Sequence, residues 1–304
     1  MSTVPQERVV WEQRIERLRL AKSTPLRDAW YLLSRNKLAL VGSIMAVLFG
    51  LAAIFGPIFA PEDPARQDLL ASFESPFSHG HLLGTDQLGR DILSRLLEGI
   101  RISMAVGFLT TVAVLVVGTV AGMLAGYYRG WVDTIINGIV EMVWGFPLIL
   151  IAVIIVGAIG PGLTGVVLAV AFINWAGFAR IVRGEVLALR EKEFVAGARA
   201  LGTGDLEIMA KHLLPNVLPS ALVMGSYYVA VAIIVEAGLS FIGMGAQPPT
   251  ASLGQMIADG RNYLLEDHWI STIPGITIVL LVLGLNLLGD GLRDVLDPRL
   301  KRER

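Results

Sequence analysis

The sequence contains no cysteine and only four histidines. Without cysteine, disulfides, thiolate metal sites, iron–sulfur clusters and cysteine nucleophiles are excluded for this chain. Charge is also scarce, because 17% of the 304 residues are charged against about 25% in soluble globular proteins. The net charge of −1 provides no field that would attract a polyanion. These shortages argue against a nucleic-acid-binding protein.

Motifs that carry chemistry are equally sparse. His79 and His81 lie in a Ser/Gly-rich stretch with no evident third metal ligand, and His268 lies beside two acidic residues. Gly202-Thr203-Gly204 lacks the third glycine of a dinucleotide fingerprint, and the sequence contains no phosphate-binding loop of the G-x-x-x-x-G-K-[ST] type. We therefore predict that the chain is not an enzyme and holds no cofactor or metal of its own. The same inventory argues against a membrane-embedded protease or transferase.

The sequence is rich in long apolar segments that carry no charge. The mean hydropathy is +0.64, and about 20 helical residues cross a bilayer. We predict an all-α integral membrane protein with six transmembrane helices. They cover residues 38–60, 102–128, about 134–159, 163–179, 216 to about 243, and 269–289. On this interpretation residues 61–101 form an extracytoplasmic segment, and residues 102–290 form a five-helix core.

The distribution of basic residues predicts the orientation. Twenty of the 25 lysines and arginines fall in residues 1–37, 127–134, 180–215 and 290–304, and five fall in residues 61–101 and 244–270. Cytoplasmic loops of membrane proteins carry the excess of basic residues. We therefore expect a protein of the cytoplasmic membrane with both termini in the cytoplasm. The tail of residues 1–37 is expected to hold a short interfacial helix, and residues 291–304 to form a second cytoplasmic tail.

Two carboxylates fall inside predicted spans. Ionisable groups in a membrane usually face the bundle interior or a wet cavity, so Glu141 and Glu236 are candidates for a pathway or gate. A carboxyl group that is hydrogen-bonded to a neighbouring helix is an equal alternative. Gly118, Gly122 and Gly126 recur at four-residue spacing, which predicts close packing of the second span against another helix.

The segment between the fourth and fifth spans has its own pattern. Residues 193–200 are predicted to form a short helix that ends at Gly202. A second helix is predicted to be capped by Asp205 and stopped by Pro215. Its apolar residues are expected to share one face, and they are Leu206, Met209, Ala210 and Leu213. An amphipathic helix of this kind suits a groove on a soluble partner, although the lipid surface is also possible.

At this segment the sequence resembles a known family. Gly202, nine further residues and then His212-Leu213-Leu214-Pro215 resemble the loop of the membrane subunits of ABC importers, and Ala196-Gly197-Ala198 is similar to its Glu-Ala-Ala portion. Ala196 stands where the glutamate is usual. Residues 84–91, 239–245 and 286–294 resemble the second permease subunit of dipeptide, oligopeptide and nickel importers. Leu253, where tryptophan is usual, and Glu141, where aspartate is common, depart from that pattern.

The resemblance implies a type I ABC importer permease fold with a cytoplasmic coupling helix. It implies a heterodimer with a homologous permease, two ATPase subunits that bind ATP and magnesium, and an extracytoplasmic substrate-binding protein. Such an assembly would import peptides by alternating access. The coupling segment, residues 190–215, would contact an ATPase. Its candidate residues are Ala196, Gly197, Ala198, Gly202, Asp205, Leu206, Met209, Ala210, His212, Leu213 and Pro215.

The external segment of residues 61–101 would dock the binding protein, and its candidate docking residues are Asp86, Arg90, Asp91 and Arg95. The alternative function is a secondary transporter driven by protons or sodium, which would need no ATPase. Such a transporter should show internal repeats and ion-binding groups at the midplane. The sequence shows no convincing repeat, and only Glu141 and Glu236 could serve as ion-binding groups.

Overall fold

The computed structural model describes residues 36–296, and within that range the regular structure is helical. The predicted interfacial helix in residues 1–35 and the tail of residues 297–304 lie outside the described residues. The helices are α1 (Lys37–Phe59), α2 (Ile92–Tyr128), α3 (Gly130–Trp144), α4 (Leu148–Ile159), α5 (Leu163–Leu189), α6 (Glu193–Ala200), α7 (Asp205–Phe241), α8 (Leu253–Gly260) and α9 (Trp269–Leu296).

Five of these helices are long and apolar enough to cross a membrane, namely α1, α2, α5, α7 and α9. The pair α3 and α4 meets the same test together, which gives six spans when the pair is counted as one. We refer to the two ends of the bundle as the α6 end and the α8 end. Helix α2 joins them, because it starts near α8 and finishes near α6.

The N-terminal helix α1 packs along α9. Asn36 caps α1, since its side-chain oxygen accepts hydrogen bonds from the backbone nitrogens of Leu38 and Ala39 at 3.1 and 3.3 Å. A Cβ atom on Gly42 would lie 2.7 Å from the backbone of Leu287 in α9. The two helix backbones therefore approach as closely as small residues in membrane helices allow.

The glycine stripe of the second span packs against α5, as its spacing predicts. A Cβ on Gly118 would meet the ring of Phe178 at 2.7 Å, and one on Gly126 would meet the carbonyl oxygen of Arg183 at 2.9 Å. Gly122 lies between them, against Val182. The expectation of packing within the protein's own bundle is confirmed for all three glycines.

The helix of the second span begins ten residues before residue 102, the predicted start of the span. Helix α2 begins at Ile92, because the Asp91 carboxylate caps it by accepting from the backbone nitrogen and the hydroxyl of Ser94, both at 2.7 Å. Its 37 residues span about 55 Å, more than the roughly 30 Å hydrocarbon core. Charged residues near the start, such as Arg95 and Arg101, are compatible with helix and do not mark its boundary.

The predicted third span is broken into two helices. Helices α3 and α4 meet at 93°, and residues 145–147 form the break. Pro147 lacks a backbone N–H and disfavours helical geometry in the residue before it. Arg183 of α5 holds the start of α3, because its Nε and one Nη donate to the two carboxylate oxygens of Asp133 at 2.5 and 2.7 Å.

Neither Asp205 nor Pro215 has the helix-boundary role that the sequence predicts. Gly204 precedes the first helical residue, and the Asp205 side chain makes no capping bond. Helix α7 runs on from Asp205 through Pro215 to Phe241. A π-helical turn precedes the proline, and there the Leu214 N–H bonds to the carbonyl of Met209, five residues back. This wider turn accommodates a proline that would otherwise clash with the carbonyl four residues before it.

Candidate functional site

The coupling segment begins with α6, which has a defined end. The Thr203 N–H donates to the carbonyl of Ala198 at 3.1 Å, and the Gly202 N–H donates to the carbonyl of Arg199 at 3.0 Å. This pair of bonds is the Schellman motif, which needs a left-handed residue after the helix. Gly202 has that conformation, with φ +81°, and open space around it. Glycine is therefore required here by backbone conformation and not by crowding.

One face of the coupling segment is buried in the protein's own core. Met209 is 4% exposed and Leu213 is fully buried. They share an apolar cluster with residues of α2, α5, α6 and α7. Members of that cluster include Val182, Val186, Val195, Ala198, Ile208, Met209 and Leu213. The segment is thus packed as part of the bundle and is not a loose loop.

The prediction that four apolar residues share one docking face is wrong. Leu206 is 75% exposed and Ala210 is also exposed, whereas Met209 and Leu213 are buried. The π-helical turn at Ile208–Leu213 explains the split, because its wider turn breaks the 3.6-residue period on which the shared face depended.

The exposed face of the segment carries a different apolar set. Leu201 is 88% exposed, Leu206 75% and Phe194 43%. Ala196 and Gly197 are also exposed. Sequence reasoning missed Leu201, although its position directly before the motif glycine could have drawn attention to it. Large apolar side chains held outward on rigid helix ends are typical of an interaction surface.

An ion pair between Lys211 and Glu207 and the last two motif residues, His212 and Pro215, lie beside this face. Lys211 donates to Glu207 at 2.7 Å, as the i,i+4 spacing predicts. The carbonyl of His212 accepts from the Asn216 side chain at 2.7 Å, and Pro215 is exposed. These residues lie around the exposed apolar face without adding buried charge to it.

A cavity of about 760 Å³ opens next to Pro215, between α5, α7 and α9. Glu185 of α5 lines it and accepts a hydrogen bond from the Ser220 hydroxyl at 2.8 Å. Asp290 and Arg293 of α9 line the cavity as well. The sequence placed Glu185 in a cytoplasmic segment, and the structure shows that α5 includes it. This cavity therefore has polar groups on more than one wall.

Glu236 is fully buried between helices. Its two carboxylate oxygens accept from the hydroxyls of Ser103 in α2 at 3.0 Å and Ser240 at 2.7 Å. Gly254 of α8 lies against the backbone of Ala237, in such close contact that a Cβ atom could not fit. The structure thus places Glu236 in the arrangement of the hydrogen-bonded alternative.

Glu141 has different surroundings. It is exposed, one turn before the break between α3 and α4. A smaller cavity of about 370 Å³ lies beside that break and is lined by Trp144, Asn174, Tyr227 and other residues. The Arg180 guanidinium stacks over the Trp144 ring at 4.2 Å. Glu141 and Glu236 are therefore not brought together into one site.

At the α8 end, Asp86, Arg90 and Arg95 form a buried ion network with Asp259 of α8. Arg90 Nε lies 2.7 Å from Asp86, and Arg95 Nε lies 3.4 Å from the same carboxylate. Both arginines also reach Asp259, at 3.2 and 3.3 Å. The network fastens residues 84–95 to α8.

The prediction that these residues form a docking surface is wrong, because the structure buries them. Asp86 is 2% exposed, Arg90 7%, Asp91 1% and Arg95 2%. Asp91 caps α2 and lies 3.0 Å from His81 Nδ1. Among residues 36–296, no cluster of acidic and histidine side chains could hold a metal ion. The motif at residues 84–95 encodes an internal clamp.

Comparison with protein families gives two matches. Residues 118–302 match the model described as "Binding-protein-dependent transport system inner membrane component". Residues 24–76 match the model described as "N-terminal TM domain of oligopeptide transport permease C". The two matches together cover most of the chain and include both the coupling segment and α1.

Individual relatives agree with those matches. The chain is 41% identical over 278 residues to the dipeptide transport system permease protein DppC of Alkalihalophilus pseudofirmus, with 91% of each chain covered. It is 40% identical to the glutathione transport system permease protein GsiD of Pectobacterium atrosepticum, covering 91% of this chain and 92% of that protein.

A solved structure gives the fold. A chain of the MetNI methionine ABC transporter, in inward-facing conformations, superposes with a TM-score of 0.55 at 22% identity and covers 66% of this chain and 95% of that chain. The predicted all-α fold of type I importer permeases is therefore confirmed.

Proposed function

The chain belongs to the family of binding-protein-dependent inner-membrane transport components, and from this membership we propose that it is one of two permeases in an ATP-driven importer of short peptides. A second, homologous permease would complete the translocation path. Two ATPase subunits would bind the ATP and magnesium, and this chain would contribute no cofactor of its own. The assembly would lie in the cytoplasmic membrane with the α6 end in the cytoplasm.

The observation that carries the proposal is the exposed apolar face of the coupling segment. Leu201 and Leu206 are held outward by helices whose opposite faces are buried in the bundle. Exposing two large aliphatic side chains on rigid backbone is unfavourable in water, since each buried leucine contributes about 2 kcal/mol. A groove on an ATPase would cover them. The rigid attachment would then transmit the closure of the ATPase dimer to the spans.

Ala196 makes this docking face less charged than in relatives that carry a glutamate there. Glu193 lies one turn earlier in α6 and is exposed. Residues three apart on a helix are neighbours on its surface. We propose that Glu193 supplies the acidic contact that the usual glutamate would make.

The peptide substrate is inferred from the relatives, whose names include dipeptide and glutathione transport. Both are short peptides with an amino terminus and carboxylates. The cavity lined by Glu185, Asp290 and Arg293 has charges of both signs, which suits a zwitterion. Alternating access would expose this cavity to one side of the membrane at a time.

The binding protein would dock at the α8 end on residues that the structure exposes, in place of the buried ion network. Leu70 is 99% exposed and Phe77 83% exposed. Both lie in the external segment, whose fold the network holds in place. Apolar groups at the centre of a polar surface are typical of protein interfaces.

Purification of a tagged chain from its native membrane tests the proposal. We expect a second permease and two ATPases to copurify, and membrane vesicles to take up a labelled dipeptide only with ATP and the binding protein. A matched preparation with a hydrolysis-deficient ATPase subunit should take up none. Uptake by the chain alone, driven by a proton or sodium gradient, would contradict the proposal and favour the secondary transporter.

A further inference from the structure

Tyr127 lies where α2 meets the coupling segment. It is the penultimate residue of α2, is 4% exposed and belongs to the apolar cluster that contains Met209 and Val195. Its hydroxyl donates to the Asp205 carboxylate at 2.6 Å. Asp205 is the first residue of α7, so this single bond joins the end of one span to the start of another.

Two arginines of the same segment contact Tyr127. The Arg199 guanidinium, at the end of α6, lies 5.1 Å above the centre of the Tyr127 ring. Arg190, which follows α5, donates from Nη1 to the Tyr127 backbone carbonyl at 2.5 Å. The ends of α5 and α6 and the start of α7 therefore all make polar or cation–π contacts with one residue of α2.

The adjacent residue, Tyr128, provides a comparison. It is 44% exposed, and its ring meets the Tyr127 ring edge-on at 5.3 Å. Within residues 36–296 its hydroxyl makes no hydrogen bond. The two neighbouring tyrosines thus differ in burial and in the bond from the hydroxyl group to Asp205.

Directional contacts transmit displacement differently from apolar packing. Burial of apolar surface is non-directional, so the cluster around Tyr127 does not tie one particular pair of atoms together. A hydrogen bond to a carboxylate is short and depends on angle and distance. If the coupling segment moves, the Asp205 bond carries the end of α2 with it, and α2 extends to the ion network at the α8 end.

We propose that Tyr127 is a positioning residue that transmits movement of the coupling segment to α2, by way of its hydroxyl bond to Asp205. This inference rests on the proposed function, because it requires that an ATPase moves the segment. The contacts of Tyr127 described above all lie within this chain, and its role would be to keep hydrolysis and transport in step.

The test uses the complete importer in lipid vesicles, with the ratio of dipeptide transported to ATP hydrolysed as the readout. We expect Tyr127→Phe to lower this ratio several-fold, up to about tenfold, which corresponds to the loss of one hydrogen bond to a charged group, about 1.5 kcal/mol. Tyr128→Phe removes an equivalent hydroxyl and should leave the ratio unchanged. The amount of assembled complex should be the same in both variants.

Variants of Asp205 refine the test. Asp205→Ala removes the acceptor and should lower the ratio as much as Tyr127→Phe, and the double variant should be no worse than either single variant. Asp205→Asn keeps an acceptor oxygen and should retain most of the ratio.

Two results would overturn the inference. One is an equal ratio in Tyr127→Phe, Tyr128→Phe and the unaltered importer. The other is loss of assembled complex with an unchanged ratio per assembled complex, which would make Tyr127 a purely structural residue. Failure of the unaltered complex to hydrolyse ATP during uptake is a separate outcome, and it would overturn the proposed function together with this inference.

Discussion

Replacing Arg95 by glutamine removes a guanidinium that lies between two carboxylates at the α8 end. The side chain is 2% exposed and lies 3.4 Å from Asp86 and 3.3 Å from Asp259. Breaking a buried ion pair by removing one partner costs about 3–5 kcal/mol, because the remaining charge stays buried. Arg90 still contacts both carboxylates, and the Asp259 side chain is 21% exposed. We therefore expect a loss near the lower end of this range of free energies.

A loss of about 3 kcal/mol lowers the ratio of folded to unfolded chain roughly 100-fold. Equilibrium unfolding in mixed detergent micelles measures this loss of unfolding free energy. Arg66→Gln is the matched control, since Arg66 lies in the same segment of residues 61–101, is 63% exposed and pairs loosely with Glu62 at 3.8 Å. That variant should remain within about 0.5 kcal/mol of the unaltered chain.

The same two variants separate an internal clamp from a docking surface. If Arg95→Gln unfolds like the unaltered chain but weakens binding of the substrate-binding protein, the argument from burial is refuted. If it is destabilised while Arg66→Gln is not, residues 84–95 act by holding α2 to α8.

Three further predictions concern other parts of the chain. Leu206→Asp should abolish stimulation of ATPase activity in the complex while changing the free energy of unfolding by less than about 0.5 kcal/mol. Met209→Ala should destabilise the chain by about 2–5 kcal/mol because Met209 is buried. The reverse pattern would contradict the conclusion that Leu206 is exposed and Met209 buried. Gly202→Ala should lower the free energy of unfolding by about 1–2 kcal/mol because Gly202 has a positive φ. Gly204→Ala, at φ −69° with open space around it, should be nearly neutral. Equal effects of the two variants in unfolding experiments would show that the positive φ of Gly202 does not require glycine. Glu236→Gln should cost about 1–3 kcal/mol, since the amide nitrogen that replaces one carboxylate oxygen cannot accept the serine hydroxyl bond made there. An unchanged unfolding midpoint would show that those bonds contribute little.

The sequence predicts those features of the fold that depend on local pattern. The long apolar segments predict the membrane spans. The spacing of Gly118, Gly122 and Gly126 predicts that α2 packs closely against another helix, which is α5. The position of α6, residues 193–200, follows from the glycine that ends it. Each of these features depends on residues that are near one another in the sequence.

The features that the sequence does not predict depend on residues that are distant in sequence or on irregular helix geometry. Arg95 looks like a surface charge until Asp259, 164 residues later, is placed beside it. Met209 and Leu206 share a face on a regular helix, and only the π-helical turn separates them. Glu185 and the Tyr127–Asp205 bond require knowledge of how α2, α5 and α7 meet.

Site-specific cross-linking is the sharpest test of the proposal that the exposed face of the coupling segment binds an ATPase subunit. Because the chain has no cysteine, Leu206→Cys introduces a unique thiol. Ser75→Cys, at an exposed position near the α8 end, provides a control. In the proposed importer we predict that the thiol at position 206 cross-links to an ATPase subunit and that the yield changes when ATP binds. A thiol at position 206 that reacts only with lipid-phase reagents, and never with an ATPase, would contradict the claim.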